Sequence, residues 1–185
     1  MRPVILGLGI SLDGYIARKN GAVDFLVMDP DHDWMAFFQR IDVWLMGRKT
    51  LEHALQMQGV EKFESQGLRT IVFSREGRGF EGVEVTNENP ASVVRQLRED
   101  DPNGKGIWLG GGGELVKSFL EADLVDRIEL GIVPTLIGSG IPLFPAGFPE
   151  RKFKLIESKS YPKTGLLTVV YERATPANTR VPDAS

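Results

Sequence analysis

The sequence predicts a single α/β domain built on a mostly parallel sheet, with an antiparallel hairpin at one edge. Three observations lead there. Short apolar, strand-like runs alternate with helical patterns through the middle of the chain. The first run, Val4 to Ser11, is almost unbroken in its apolar character, as in a strand covered on both faces. Near the end, Phe153–Ser160 and Leu166–Arg173 flank Tyr161-Pro162-Lys163-Thr164-Gly165, which reads as a hairpin and its turn.

Asp13-Gly14 breaks the first run, Tyr15-Ile16-Ala17 resumes an extended segment, and Lys19-Asn20-Gly21 signals another turn. Asp29-Pro30-Asp31-His32-Asp33 leads into a short amphipathic helix from Trp34 to Phe38. Acidic groups at its start suit the helix dipole, so Asp31 and Asp33 read as caps in preference to catalysts. Val43–Met46 is a strand stopped by Gly47, and Arg48–Met57 a helix. Thr70–Ser74 and Val83–Thr86 are strands, and Pro90 opens a helix reaching Asp100. Ile107–Leu109 runs into four glycines, a helix follows from about Glu114 to Glu121, and Arg127–Val133 is a strand.

The chain of 185 residues fits one domain that buries roughly 70% of its unfolded surface. Its 42% hydrophobic and 25% charged residues match a soluble globular protein. A net charge of −3 argues against a general nucleic-acid binder, which needs a basic face. The absence of cysteine excludes disulfides, cysteine nucleophiles, iron–sulfur clusters and thiolate zinc sites. His32 and His53 stand too far apart in sequence to suggest a metal site, so no metal is expected. Met1-Arg2 and the apolar run after it have the outline of a short signal peptide. Asp13 follows too soon, however, and no small-x-small cleavage site precedes it. No run approaches the ~18 apolar residues that span a bilayer, so neither membrane nor nucleic acid is an expected partner. A cytoplasmic location is expected.

Three strand ends carry groups suited to anions: Gly47-Arg48-Lys49-Thr50, Ser74-Arg75, and Gly110-Gly111-Gly112-Gly113. In a parallel sheet these ends share one edge, where ligands bind. A helix start offers free N–H groups and about half a positive charge, and glycine lets a phosphate approach the backbone. Three such ends together match a dinucleotide carrying a pyrophosphate and a 2′-phosphate. The glycine run can also be read as a tight turn alone; it departs from the Rossmann pattern, because Leu115 stands where a third glycine would fall. Arg48 and Lys49 oppose the dipole of their helix, a small cost that a bound anion would offset. Glu76, beside Arg75, is expected to point into solvent.

Together with Ser11-Leu12-Asp13-Gly14-Tyr15-Ile16-Ala17, Asn20-Gly21 and the late segment Pro134 to Phe144, these residues resemble the dihydrofolate reductase superfamily. They are more closely similar to its riboflavin-biosynthesis reductase branch, the RibD C-terminal type. The resemblance spans Val4 to Arg173. It implies a three-layer dihydrofolate reductase-like fold with about eight strands, residues 1–173 forming the reductase domain and 174–185 a tail. It also implies NADPH as cofactor, held by Gly47, Arg48, Lys49, Thr50, Ser74, Arg75, Gly111, Gly112, Gly113, Glu114 and Leu115. Asp13, Asn20 and Asp24 lie on the segment that should border the substrate, and a homodimer is implied. The apolar stretch Ile141–Pro149 suits a dimer contact, although packing against its own core is an alternative. The zinc deaminase of bifunctional riboflavin enzymes, with its Pro-Cys-x-x-Cys signature, is excluded by the lack of cysteine. The expected activity resembles that of 5-amino-6-(5-phosphoribosylamino)uracil reductase. The alternatives are a dihydrofolate reductase using Asp31 or Asp33, and a non-catalytic nucleotide-binding protein.

Overall fold

The computed structural model describes residues 1–58, 67–76 and 79–174. The expected tail therefore lies outside the described residues, apart from Ala174. In chain order the elements are β1 (Val4–Ser11), β2 (Tyr15–Ala17), α1 (Trp34–Phe38), β3 (Ile41–Gly47), α2 (Arg48–Gln58), β4 (Arg69–Phe73) and β5 (Glu84–Thr86). They continue as α3 (Pro90–Asp100), β6 (Gly106–Leu109), α4 (Gly113–Glu121), β7 (Arg127–Val133), β8 (Ile141–Pro142), β9 (Phe153–Tyr161) and β10 (Leu166–Arg173).

Eight strands form one sheet in the order β5-β4-β3-β6-β1-β7-β10-β9. Every pairing from β5 to β7 is parallel. The β9–β10 hairpin joins β7 antiparallel. The carboxyl ends of β4, β3, β6 and β1 therefore lie side by side, with Gly47 in register with Phe73 and Leu45 with Leu109. The fold is dihydrofolate reductase-like, as the resemblance implied.

Layering follows from which residues each strand turns inward. On one face Val4, Leu6, Ile10, Leu45, Ile107 and Leu109 pack with Val93, Val94 and Leu97 of α3 and Val116, Phe119 and Leu120 of α4. Pro90 and the cap before it define the start of α3: Asn89 Oδ1 accepts from Ser92 N at 2.9 Å. On the other face Met46 and Val72 pack with Leu51 of α2. Here β1 presents glycines. A Cβ on Gly7 would stand 2.8 Å from Phe37 Cζ, and one on Gly9 would stand 3.0 Å from Leu26 Cδ2. Phe37 also meets Trp108 edge-on, and Trp108 stacks on Trp44 with ring centroids 4.1 Å apart.

One element differs from the expected arrangement. Tyr15–Ala17 leaves the main sheet and pairs antiparallel with Ile141–Pro142 in a separate two-stranded sheet. The apolar stretch around β8 divides its residues: Leu143 is fully buried in the core and Phe148 packs against it, whereas Ile141 and Phe144 are exposed.

Candidate active site

The site starts from two strand ends tied by their backbones. Gly47 N donates to Gly111 O at 2.9 Å, and Gly110 N donates to Leu45 O at 2.8 Å. A Cβ built on Gly47 would lie 3.7 Å from Gly112 N, and one on Gly112 would lie 3.5 Å from Thr50 Oγ1. The backbones of Gly47 and Gly112 and the Thr50 hydroxyl thus meet, and a Cβ on Gly112 would come within 4 Å of the Thr50 hydroxyl alone.

The four glycines play different parts. Gly110 is required because Trp44 Nε1 would stand 2.1 Å from its Cβ. Gly111 has φ +93, with Leu8 and Ile16 nearby, and Gly113 lies under Pro142 O, 2.4 Å from an added Cβ. Gly112 alone of the four has both an ordinary φ of −76 and room for a side chain. It is the N-cap of α4 and supplies no side-chain acceptor, so the first-turn amides have no such cap. Val116 N already bonds to Gly112 O. Glu114 is exposed and Leu115 packs toward the core, so both face this edge through their backbone amides.

The cations are not equivalent. Lys49 and Arg75 are exposed and make no side-chain hydrogen bond or ion pair with the described residues. Arg48 Nε donates to Glu52 Oε1 at 2.7 Å and Nη1 donates to Glu76 Oε2. Its pKa is raised by Glu52 first and Glu76 second. Glu76 is mostly exposed, as the sequence suggested, but it also pairs with Arg48, 28 residues away. Ser74 is buried, donates its amide to Thr86 O and accepts Glu76 N at 3.4 Å on its hydroxyl.

On the substrate side, the three expected polar residues are engaged with their own chain. Asp13 accepts Ser11 Oγ at 2.6 Å, Ile137 N at 3.2 Å and Gly138 N at 2.7 Å. Its pKa is lowered, chiefly by the Ser11 hydroxyl. Asn20 Oδ1 accepts Ala22 N at 3.1 Å in a local turn. Asp24 forms a two-point ion pair with Arg18, which lowers its pKa. The acidic run before α1 is also committed. Asp29 is buried and accepts Thr164 Oγ1 at 2.7 Å and Asp31 N at 2.9 Å. Asp31 pairs with Lys163 at 2.8 Å, and Asp33 caps α1 by accepting Ala36 N. His32 Nδ1 lies 2.7 Å from the Tyr161 hydroxyl, and His53 packs against the Gly21 turn.

Sequence reasoning missed the apolar flank of the glycine loop, Leu8 and Ile16 beside Gly111. Gly7 and Gly9, alternating with large apolar residues in β1, were the available signal of a close approach on that strand. A surface cavity of about 520 Å³ lies at the opposite end of the sheet between Met1, Val94, Arg98 and Leu124. It contains none of the anion-suited loops, and the site described here is an open edge. Among the described residues no helix is long and apolar enough to cross a membrane.

The sequence pattern of the RibD C-terminal domain matches residues 2–167, which include all three anion-suited strand ends. The chain belongs to the RibD C-terminal domain family. The relatives of this RibD C-terminal domain include two uncharacterized Bacillus subtilis (strain 168) proteins. YyaP is 33% identical, covering 92% of this chain and 94% of its own, and YwjB is 31% identical, covering 86% and 92%. A putative riboflavin biosynthesis protein from Shewanella sp. PV-4 superposes with a TM-score of 0.81 at 26% identity, over 94% of this chain and 99% of that one. A deaminase and 5-amino-6-(5-phosphoribosylamino)uracil reductase from Thermotoga maritima shares the fold at a TM-score of 0.67 and 20% identity, over 94% of this chain and 57% of that longer one.

Proposed function

We propose that this RibD C-terminal domain is an NADPH-dependent reductase acting on a ribosylaminopyrimidine, in the manner of 5-amino-6-(5-phosphoribosylamino)uracil reductase. The observation that carries the reading is the open backbone cradle of Gly47 and Gly112, with Thr50 beside it and the uncapped start of α4. A diphosphate fits that cradle, because the amides of Gly113, Glu114 and Leu115 lack a side-chain cap and the dipole favours an anion. Lys49 and Arg75, both without partners among the described residues, would meet the 2′-phosphate, with Ser74 and Arg48 at its margin. Such a cofactor, held there, would supply a hydride from its nicotinamide.

Leu8 and Ile16 give the glycine loop an apolar flank that excludes water. Asp13, Asn20 and Asp24 hold the segment bordering the substrate in shape, since their polar atoms already bond to Ile137, Gly138, Ala22 and Arg18. No residue is assigned as the proton donor, a role that solvent water could fill. The pterin alternative is disfavoured by the engagement of Asp29, Asp31 and Asp33 with Thr164, Lys163 and Ala36. A homodimer in the cytoplasm completes the proposal, with exposed Ile141 and Phe144 as the contact.

The test is NADPH oxidation followed by absorbance, with the ribosylaminopyrimidine in one arm and dihydrofolate in the other. Turnover in the first arm alone supports the proposal. Turnover of dihydrofolate alone replaces it with the pterin reading, and tight NADPH binding without turnover in either arm makes the chain a nucleotide-binding protein.

A further inference from the structure

We propose that Glu76 sets the cofactor preference of this site, acting as an internal competitor for the 2′-phosphate. The inference rests on the dinucleotide reading above and concerns this chain's own ion pairs. Arg48 is the cation at the junction of β3 and α2, next to the open backbone of Gly47. Its guanidinium is held on two sides, by Glu52 one turn along the same helix and by Glu76 from the loop after β4. Glu76 reaches Arg48 from a loop whose preceding serine is fixed. Ser74 is buried, gives its amide to Thr86 O and takes the Glu76 amide on its hydroxyl. Arg75, between them, is exposed and has no partner among the described residues.

Among the described residues, a phosphate arriving here meets two cations still open to it, Lys49 and Arg75, and one already paired with carboxylates, Arg48. At Arg48 Nη1 it competes with the Glu76 carboxylate already bound there, and like charge opposes its approach to the whole guanidinium. A ribose 2′-hydroxyl has no such conflict: it is neutral and can donate to Glu76. Glu76 therefore penalises the phosphorylated cofactor and leaves the unphosphorylated one unaffected or slightly favoured. Because the Glu76 side chain is 74% exposed, the penalty is screened and depends on salt.

The experiment titrates NADPH and NADH into wild type, Glu76→Gln and Glu88→Gln, at low and at high ionic strength. Glu76→Gln keeps the size and exposure of the side chain. Glu88→Gln removes the same unit of charge from the loop before α3, where only its backbone amide is engaged, with Thr86 Oγ1. The expected result is NADPH binding tightened about fivefold by Glu76→Gln at low salt, the gain fading at high salt. NADH should stay within about twofold, and Glu88→Gln should bind both as wild type does. Unchanged NADPH affinity in Glu76→Gln, or equal tightening of both cofactors, overturns the role of Glu76 while leaving the dinucleotide reading intact. Failure of all three proteins to bind either cofactor overturns the dinucleotide reading itself, and this inference with it.

Discussion

Replacing Gly112 with valine separates a binding glycine from a folding one. At φ −76 a side chain stays out of the left-handed region, and its Cβ lies at an ordinary van der Waals distance, 3.5 Å from Thr50 Oγ1. Stability should change by no more than about 1 kcal/mol. The same atoms fill the space in front of the α4 amides. Blocking two charge-assisted hydrogen bonds from those amides, worth about 1.5 kcal/mol each, weakens NADPH by roughly a hundredfold or more. Gly113→Ala is the counterpart. Its methyl would sit 2.4 Å from Pro142 O, so β8 must shift, and overpacking of that kind costs roughly 1–3 kcal/mol. Thermal unfolding should thus single out Gly113→Ala, and fluorescence titration with NADPH should single out Gly112→Val. A Gly112→Val protein that melts like wild type and binds NADPH with wild-type affinity would show that the glycine run is a turn and nothing more.

Arg75→Ala should weaken NADPH about tenfold and leave NADH almost unchanged, read by competitive titration; equal weakening of both removes Arg75 from the 2′-phosphate. Asp29 has its carboxyl pKa lowered, first by the Thr164 hydroxyl. Its contribution is present above the unfolded carboxylate value and is lost as pH falls through the lower folded one. The melting temperature should drop on acidification below about pH 4, and Asp29→Asn should be less stable at neutral pH with a flatter acid limb; a parallel acid limb would contradict this. Phe144→Glu should convert a dimeric mass to a monomeric one by light scattering, and a monomeric wild type at micromolar concentration defeats the dimer outright. Phe119 is fully buried between α4 and the sheet, so Phe119→Ala should cost about 3–5 kcal/mol in chemical denaturation.

What the sequence disclosed was what neighbouring residues decide. Asn89 and Pro90 announce the start of α3, and the apolar runs ending at Gly47, Ser74 and Gly110 mark three strand ends that do fall on one edge. What it withheld depends on distant partners. Gly112 and Gly113 look alike in sequence, and only the Pro142 carbonyl, brought over by β8, distinguishes them. β8 itself is two residues long in a stretch rich in proline and glycine, too short for any periodicity. The Arg48–Glu76 pair spans 28 positions and joins the start of α2 to the loop after β4, brought together by the β3–β4 register. Asp13, Asn20 and Asp24 look free in sequence because, beside the Ser11 hydroxyl, the donors they accept from are backbone amides and Arg18, none of which a sequence displays as partners.

The Asp13 carboxylate joins the end of the central strand to the loop leaving its neighbour, through Ile137 N and Gly138 N. Leu12 N adds a second tie to Thr135 O, and Leu143 N a third to Gly14 O. The rim of the site is therefore assembled as one rigid piece, continuous with the sheet. Groups that ride on this rim without supporting it, such as the exposed Leu136, can change without loosening what holds them. If the proposed substrate side is right, a redesign of specificity would start at Leu136 and leave the clasp alone.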